Sequence, residues 1–289
     1  TGVPEARMET LVSALASTGV VVRSEDDVRN APATEIYLVP GAPAYFGDYY
    51  RFQIGGQMYE LMNHLDAGLV GKDDGLAYQR MSGWLSDPKR ADDFSRAQHA
   101  GSMGPALMMS KRLDLSREHT LLDVAGGTGA YSISFCKSNA NLSATIIDFP
   151  TVIDVARRYV DEADMSDRIS LLAGDARETE WPVNQDILLM SYLLSAVDGK
   201  DIVPLLKRAI TALRPGGRLI LHDFMLDEER SGPSSAALFF LSYLAHQPDA
   251  ISFTSSDLYP LLDEAGFSVL SDEIMIPEIT KMIVAQKPE

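Results

Sequence analysis

The amino-acid sequence predicts an α/β protein whose C-terminal half carries a mostly parallel sheet. One observation is the stretch Leu121–Ala130, which reads as a strand, a turn of very small residues and the start of a helix. A second is the alternation of strand-like and helix-like apolar segments along residues 116–289, which is typical of a parallel sheet with crossover helices. A third is the 46% hydrophobic composition, which lets 289 residues bury a sizeable core in one large or two smaller domains.

The glycine-rich turn after the first of these strands has the chemistry of a nucleotide-cofactor loop. Glycines remove Cβ atoms, so the backbone can approach a ligand closely, and the helix that follows offers free N–H groups to an anion. A dinucleotide fingerprint fits poorly, because Ser132 stands where its third glycine is required. The spacing that fits is an acid followed by small residues at every second position: Asp123, Ala125, Gly127 and Gly129. A glycine-rich turn that holds no ligand is the alternative interpretation.

Later segments continue the pattern of apolar strands that end in acidic or small residues. A strand at 144–147 ends in Asp148, 25 residues after Asp123, and an acid at that point can accept both hydroxyls of a ribose. The remaining matches are a strand at 169–173 followed by Gly174-Asp175-Ala176, a strand at 186–191, and the Leu-Arg-Pro-Gly-Gly turn at 213–217 before a fifth strand. Five matches in this order are a strong signal.

Together these motifs resemble class I methyltransferases that use S-adenosyl-L-methionine (SAM), in particular the small-molecule O-methyltransferase-like family. The resemblance implies SAM as cofactor, S-adenosyl-L-homocysteine (SAH) as product, and a Rossmann-like sheet whose last strands form an antiparallel hairpin. It also implies a SAM-binding domain at 113–289 and a mainly helical, winged-helix dimerisation and lid domain at 1–112. The residues that it implies for cofactor binding are Asp123, Gly126, Gly127, Gly129, Asp148, Phe149, Asp175, Ala176, Met190 and Ser191.

The N-terminal segment predicts a helix followed by two strands. Apolar residues at 11–16 form a helix face that Gly19 ends, and Val20–Val22 and Glu35–Val39 are predicted as strands around a polar loop. A winged helix that reads DNA needs basic recognition residues, and few are present here. The resemblance instead implies a homodimer built by this module. The dimerisation helices that usually precede it are missing, so we expect the chain to be truncated or partly ordered at its N-terminus.

Charge and composition exclude several classes of partner. With 25 Lys and Arg against 41 Asp and Glu, the net charge is −16, which argues against nucleic acid as a ligand. No apolar run reaches the ~18 residues needed to span a bilayer, and we expect no membrane partner. A single cysteine, Cys136, and no visible secretory signal predict a cytoplasmic protein. The resemblance implies that its substrate is a small molecule.

Residues 45–115 are predicted to be mainly helical and, by the resemblance, to cover the acceptor pocket. The family carries a Phe-x-x-x-Met motif here whose methionine touches the acceptor; Phe94 matches, and Gln98 stands at the methionine position. This departure predicts a more polar acceptor than a flat phenol. The candidate substrate-binding residues are Phe94, Gln98, His99, Met103, Tyr192, Ser195 and Tyr243.

The family's catalytic base is the one element that does not carry over. Ser195 stands where the resemblance places a histidine, Ala196 stands where it places an aspartate, and a serine cannot act as a base near neutral pH. One hypothesis is an acceptor that needs no base, such as the thioether of 4-methylthio-2-hydroxybutyrate in dimethylsulfoniopropionate synthesis. The alternatives are O- or C-methylation with a base among His222, Asp223 and His246, or a homologue that binds SAM without transferring methyl. Those three residues can in principle bind a metal, but we expect polar contact with the substrate and no metal.

Overall fold

The computed structural model describes residues 2–42, 44–70, 81–245, 249 and 251–289. The N-terminal part is mainly helical, and its short strands β1 and β2 pair as an antiparallel hairpin with Val22 opposite Arg29. Its elements are α1 (Glu5–Ser17), β1 (Val21–Arg23), β2 (Val28–Asn30), α2 (Pro32–Tyr37), a π-helix (Tyr49–Met58), α3 (Tyr59–Leu61), a 3-10 turn (Met62–His64), α4 (Leu65–Leu69), α5 (Met81–Trp84) and α6 (Pro88–Arg112).

The C-terminal part is a seven-stranded sheet in the order β5-β4-β3-β6-β7-β9-β8. Strands β3 to β7 are mutually parallel, whereas β9 lies antiparallel between β7 and β8. The elements are β3 (Thr120–Val124), α7 (Ala130–Ser138), β4 (Ser143–Asp148), α8 (Pro150–Glu162), β5 (Ile169–Ala173), β6 (Gln185–Ser191), a 3-10 turn (Leu194–Ala196), α9 (Gly199–Ala212), β7 (Leu213–Phe224), α10 (Ser234–Tyr243), α11 (Ser255–Ala265), β8 (Ser268–Ile276) and β9 (Thr280–Gln286). The predicted α/β fold with an antiparallel C-terminal hairpin is confirmed.

Both faces of this sheet are covered, which explains why its strands read as nearly continuous apolar runs. Along β7, Leu219 and Leu221 pack into the core formed with α9 and α11, while Ile220 between them packs into the core formed with α7 and α8. Successive strand residues therefore serve opposite layers, as the two-residue period of a strand requires.

Helix α6 joins the N-terminal part to the sheet, because it packs against the π-helix on one side and against α7 and α8 on the other. Its start is well defined: Asp87 caps it by accepting the Arg90 N–H (2.9 Å), and Pro88 occupies the first turn. This placement brings the helical lid to the edge of the sheet where β3, β4 and β6 end. The division into domains at residue 112 stays a prediction.

One predicted strand differs from the structure. The segment Glu35–Val39 is not a strand, because Pro32 sits in the first turn of α2 and that helix continues to Tyr37; the second strand of the hairpin is β2. At the C-terminus, the predicted antiparallel hairpin consists of β8 and β9, and β8 carries two bulges. Within the described residues, no helix is long and apolar enough to cross a membrane.

Candidate active site

The glycine-rich loop after β3 is held in conformations that only small residues adopt easily. Ala125, Gly127 and Gly129 have φ values of 56°, 56° and 79°, so the left-handed region recurs at every second residue. A Cβ on Gly129 would lie 2.5 Å from Ile146 Cδ1, so a larger residue would combine a strained left-handed φ with displacement of that buried side chain. A Cβ on Gly127 would meet nothing within 4 Å, so the loop leaves open space in front of that residue.

Asp148, at the end of β4, ties the loop to the second strand. Its Oδ2 accepts the Gly127 N–H (2.8 Å) and its Oδ1 accepts the Phe149 N–H (2.7 Å). Burial raises the pKa of this carboxyl to about 6, although the two N–H groups oppose the shift. Each carboxylate oxygen retains a lone pair that can accept a ribose hydroxyl.

Asp123 supports the loop from below. It is almost fully buried, and its Oδ2 accepts the Ser132 hydroxyl (2.7 Å) in the first turn of α7. A Cβ on Gly126 would lie 2.6 Å from its carboxyl carbon, which explains the small residue there. Burial raises the pKa of Asp123 to about 6, and the neighbouring charge of Asp148 adds to the shift. Direct contact of Asp123 with cofactor stays a prediction.

The other predicted cofactor residues lie along the same edge of the sheet. Asp175 is half-buried and receives Nε–H and Nη2–H bonds from Arg177 (3.1 and 2.7 Å). Burial alone would raise the pKa of Asp175, but the Arg177 bonds outweigh it and lower that pKa. The Ala176 carbonyl accepts the indole N–H of Trp181 (3.0 Å). Phe149 is the N-cap residue of α8, and Met190 is buried in the core. The Ser191 hydroxyl contacts His222.

This set of residues fits a nucleoside cofactor with a positively charged sulfur. The open space in front of Gly127 lets a ligand approach the loop backbone closely. The half-buried carboxylates of Asp148, at the end of β4, and Asp175, just after β5, lie at the neighbouring strand ends. Asp148 would hold the ribose, and Asp175 would hold the adenine amino group.

His99 on α6 connects the lid to the cofactor loop. Its Nδ1 lies 2.7 Å from the hydroxyl of Thr128, and its ring stacks on Tyr159 with centroids 4.0 Å apart. Burial lowers the pKa of His99 to about 4, so the imidazole is neutral at physiological pH. In this arrangement His99 positions the loop; acceptor binding by His99 stays a prediction.

The remaining predicted lid residues separate into different environments. Phe94 packs edge-on against Trp84 (5.9 Å between centroids) in a small apolar cluster with Leu85, Ala91 and Val152. Gln98 donates from Nε2 to Gln53 Oε1 (2.7 Å) on the π-helix. Met103 is half-buried on α6. The structure therefore places Gln98, but not Phe94, in a polar contact within the lid.

His222 lies within a buried network of hydrogen bonds. It is fully buried, with Nδ1 near the hydroxyls of Ser191 (2.9 Å) and Tyr131 (3.1 Å) and Nε2 near the hydroxyl of Thr280 (2.9 Å). Burial lowers its pKa to about 3. Both ring nitrogens already have partners, so His222 joins α7, β6 and β9 through hydrogen bonds, and its role as a base stays a prediction. Adjacent strand residues point to opposite faces.

Asp223 lies on the other face of β7, beside Ser195. Its Oδ2 accepts the Ser195 backbone N–H (3.1 Å) and its Oδ1 accepts the Phe224 N–H (2.9 Å). Burial raises the pKa of this carboxyl to about 7, against the opposing effect of the Ser195 hydroxyl and of those N–H groups. Ser195 itself is fully buried beside the carboxyl. A buried carboxyl with a pKa shifted towards neutrality is typical of a functional site.

Aromatic side chains lie next to Asp223 and Ser195. Tyr192 has a φ of 55°, which is strained for a bulky residue and is a feature found at active sites. Its ring contacts Phe224 (5.2 Å between centroids), which stacks on Phe239 (3.9 Å), which in turn stacks on Tyr243 (5.2 Å). Burial raises the pKa of both Tyr192 and Tyr243, and the nearby charge of Asp223 contributes.

His246 lies outside the described residues, so its predicted role is not addressed by the structure. Among the residues described, no group of three His, Cys, Asp or Glu side chains is arranged to hold a metal ion.

Sequence reasoning missed several residues of the site. Ser132 and Thr128 stabilise the loop through side-chain hydrogen bonds, and Arg177 sets the charge of Asp175. Gln53 and Gln57 face the lid as buried polar residues four positions apart. That spacing on one helical face was the available signal, but it is common on helices and pointed to no ligand.

The fold and the loop define a class of proteins that bind a nucleoside cofactor at the carboxyl edge of a Rossmann-like sheet. The sequence profile of the O-methyltransferase domain family matches residues 77–268, which is more than half of the chain. The chain therefore belongs to this family, and it is a SAM-dependent methyltransferase.

Individual relatives agree with this assignment. The chain is 26% identical to 3-hydroxy-5-methyl-1-naphthoate 3-O-methyltransferase of Streptomyces sahachiroi over 92% of this chain and 77% of that protein. It is 27% identical to the mitomycin biosynthesis 6-O-methyltransferase of Streptomyces lavendulae over 93% of this chain and 77% of that protein. The crystal structure of human N-acetylserotonin methyltransferase in complex with SAM superposes with a TM-score of 0.86, at 20% identity, over 98% of this chain and 86% of that chain. The structural likeness supports the fold.

Proposed function

We propose that this methyltransferase methylates a hydroxyl group of a small molecule and that Asp223 accepts the hydroxyl proton. The observation that carries the proposal is the buried Asp223 carboxyl, with a pKa near 7, held against the backbone of Ser195. The resemblance places the base of the family at position 195. Because Asp223 contacts the backbone of Ser195, its carboxyl lies next to the position of that base.

Different side chains align the two substrates and remove the proton. When bound, SAM would supply an electrophilic methyl group, with SAH as the product. Asp148 and Asp175 hold the cofactor, and the aromatic rings of Tyr192 and Tyr243 exclude water around the acceptor. An oxygen of Asp223 would take the proton of the acceptor hydroxyl as that hydroxyl is methylated. A base with a pKa near 7 suits this transfer at physiological pH.

The test is the pH dependence of methyl transfer in a single turnover, with 6-acetyl-2-naphthol, 2-naphthol and 4-methylthio-2-hydroxybutyrate as probe acceptors. With a naphthol, the wild-type rate should rise through a pKa near 7, because the ionised Asp223 is the active form. Asp223→Asn should lose that rise and at least about a hundredfold in rate. Ser195→Ala, a matched neighbour, should retain most of the activity and the same pH profile.

The second candidate is the base-free transfer to a thioether, and the presence of Ser195 at the base position favours it. A thioether releases no proton, so the rate constant for 4-methylthio-2-hydroxybutyrate should show no such rise. A profile that stays flat with every probe would contradict the role of Asp223. SAH formation from none of the probes would favour a homologue that binds SAM without transferring methyl.

We further propose a cytoplasmic homodimer formed through the N-terminal helices. The support is a group of exposed apolar side chains on α1, the hairpin and α2: Leu11, Val22, Val28, Ile36 and Tyr37. Sedimentation of wild type and Leu11→Asp should give a dimer and a weakened dimer respectively. Two identical monomeric profiles would contradict this proposal.

A further inference from the structure

The carboxylate of Asp175, just after β5, is held on both of its oxygens by one residue, Arg177. Oδ1 accepts the Arg177 backbone N–H (2.9 Å) and the Arg177 Nε–H (3.1 Å). Oδ2 accepts the Arg177 Nη2–H (2.7 Å) and lies 3.3 Å from Nε. A guanidinium that meets a carboxylate through two nearly parallel bonds fixes the plane of that carboxylate as well as its charge.

Arg177 is itself anchored on its other side by helix α9. Its Nη1 lies 3.2 Å from Oδ2 of Asp201, which is in the first turn of that helix. The side chains of Asp175, Arg177 and Asp201 are only 20%, 35% and 21% exposed, so solvent screens these contacts incompletely. The position of the Asp175 carboxylate is therefore set from α9 through Arg177.

These bonds leave Asp175 with one free acceptor direction. Each carboxylate oxygen has two lone pairs in the carboxylate plane. Two N–H donors fill Oδ1, whereas Oδ2 has one close donor and keeps a lone pair on the side away from Arg177. An ionised carboxylate donates no hydrogen bond, so the ligand group that fits this position is a single N–H or O–H donor.

The backbone around Asp175 is fixed by separate contacts. The Asp175 carbonyl accepts the Thr179 N–H (2.8 Å), and the Ala176 carbonyl accepts the Trp181 indole N–H (3.0 Å). None of these contacts involves the carboxylate or the Arg177 guanidinium. Replacing the Arg177 side chain should therefore release the Asp175 side chain and leave the path of the loop unchanged.

A second arginine, Arg208 of α9, binds the same loop in a different way. Its Nη2 bonds the Thr179 carbonyl, and its guanidinium lies over the Trp181 ring, 4.9 Å from the centroid. Among the described residues, the hydrogen bonds of the Asp175 carboxylate come from Arg177 and not from Arg208. Arg208 therefore provides a matched control for effects that act on the loop as a whole.

We propose that Arg177 is a positioning residue for the cofactor: it orients the remaining lone pair of Asp175 towards the amino group of adenine, so that the site selects a purine with that donor. The proposal rests on the placement of adenine at Asp175 and is independent of Asp223 and of the acceptor. Its test measures binding and needs no methyl transfer, so a failure of the proposed reaction and a failure here are distinguishable.

The test compares SAH with its 6-deamino analogue, in which hydrogen replaces the adenine amino group. Dissociation constants of both ligands are measured by calorimetry with the full chain, and their ratio is the amino preference. Contacts with the ribose and the homocysteine are common to both ligands and cancel in the ratio. The wild type should prefer SAH by about ten- to a hundredfold, as expected for one charge-assisted bond. Asp175→Ala should bring the ratio to within about twofold of one.

Three arginine variants separate orientation from charge and from loop structure. Arg177→Met, which removes every side-chain donor to Asp175, should lower the amino preference by at least about threefold. Arg177→Lys keeps a point charge without the planar fork, so its preference should lie between those of Arg177→Met and the wild type. Arg208→Met loosens the same loop, and any loss of affinity should affect both ligands equally and leave the ratio as in the wild type.

Three results would overturn the proposal. One is an amino preference that is absent in the wild type or survives Asp175→Ala, because Asp175 would then not bind the amino group. Another is a ratio in Arg177→Met that equals or exceeds that of the wild type; if this variant binds neither ligand, a wild-type ratio in Arg177→Lys has the same meaning. The third is an equal fall of the ratio in Arg177→Met and Arg208→Met, which would assign the effect to the loop as a whole.

Discussion

Replacing Asp148 by asparagine tests the assignment of the cofactor site most directly. Both carboxylate oxygens accept a backbone N–H, from Gly127 at 2.8 Å and from Phe149 at 2.7 Å. An asparagine has one acceptor oxygen, so one of these donors would face an NH₂ group, and the charge that strengthens a ribose contact would be absent. Loss of one charge-assisted bond costs about 1.5–3 kcal/mol, so SAH affinity should fall by about ten- to a hundredfold.

The pKa of Asp148 adds a pH signature to this prediction. Burial raises it to about 6, and the ionised form is the one that accepts ribose hydroxyls. SAH affinity of the wild type should therefore be constant above about pH 7 and about tenfold weaker at about pH 5, where most of the carboxyl is protonated. Asp148→Asn should lower the affinity at every pH and remove this dependence.

Calorimetric titration of SAH over this pH range provides the measurement. Asp154→Asn, which neutralises an exposed acid on α8, is the matched control and should behave as the wild type. Asp123 also has a pKa of about 6, but it bonds to Ser132 beneath the loop. If the pH dependence persists in Asp148→Asn, the titrating group is Asp123 and the reasoning about Asp148 is refuted.

Two further predictions concern stability in urea. Gly129→Ala should lower the unfolding free energy by about 2–4 kcal/mol, because a left-handed φ and a Cβ 2.5 Å from Ile146 both oppose the alanine. Gly127→Ala should lower it by only about 1–2 kcal/mol, because the added Cβ meets no atom within 4 Å. Equal losses in the two variants would contradict the geometry. His222→Leu should cost about 2–4 kcal/mol by leaving buried hydroxyls unpaired. Because the pKa of His222 is lowered to about 3, its stabilising effect is complete above about pH 6.5 and is lost as the pH falls towards 3. That part of the acid sensitivity should be absent in His222→Leu, and an unchanged acid profile would refute the buried network.

The sequence predicted the sheet and the cofactor loop because both depend on local pattern. Apolar runs that end in Asp148 and in Gly174-Asp175 mark strand ends, and the glycine spacing follows from the left-handed backbone at Gly127 and Gly129. These signals lie within short segments and need no knowledge of distant contacts.

The acceptor side could not be predicted in the same way, because it is assembled from segments far apart in the chain. His222 looked catalytic from its position at a strand end, but Tyr131 and Thr280 approach it from other elements and occupy both ring nitrogens. The pairing of Gln98 with Gln53 joins residues 45 positions apart. The shift in the pKa of Asp223 arises from burial, which no single segment encodes.

The opposite orientations of His222 and Asp223 have an evolutionary consequence. His222 joins β9 to α7, the helix that follows the cofactor loop, whereas Asp223 contacts the backbone of Ser195. A substitution at 223 or at 195 therefore leaves the hydrogen bonds of His222 in place. The end of β7 can in this way acquire new chemistry while the sheet and the helix stay joined.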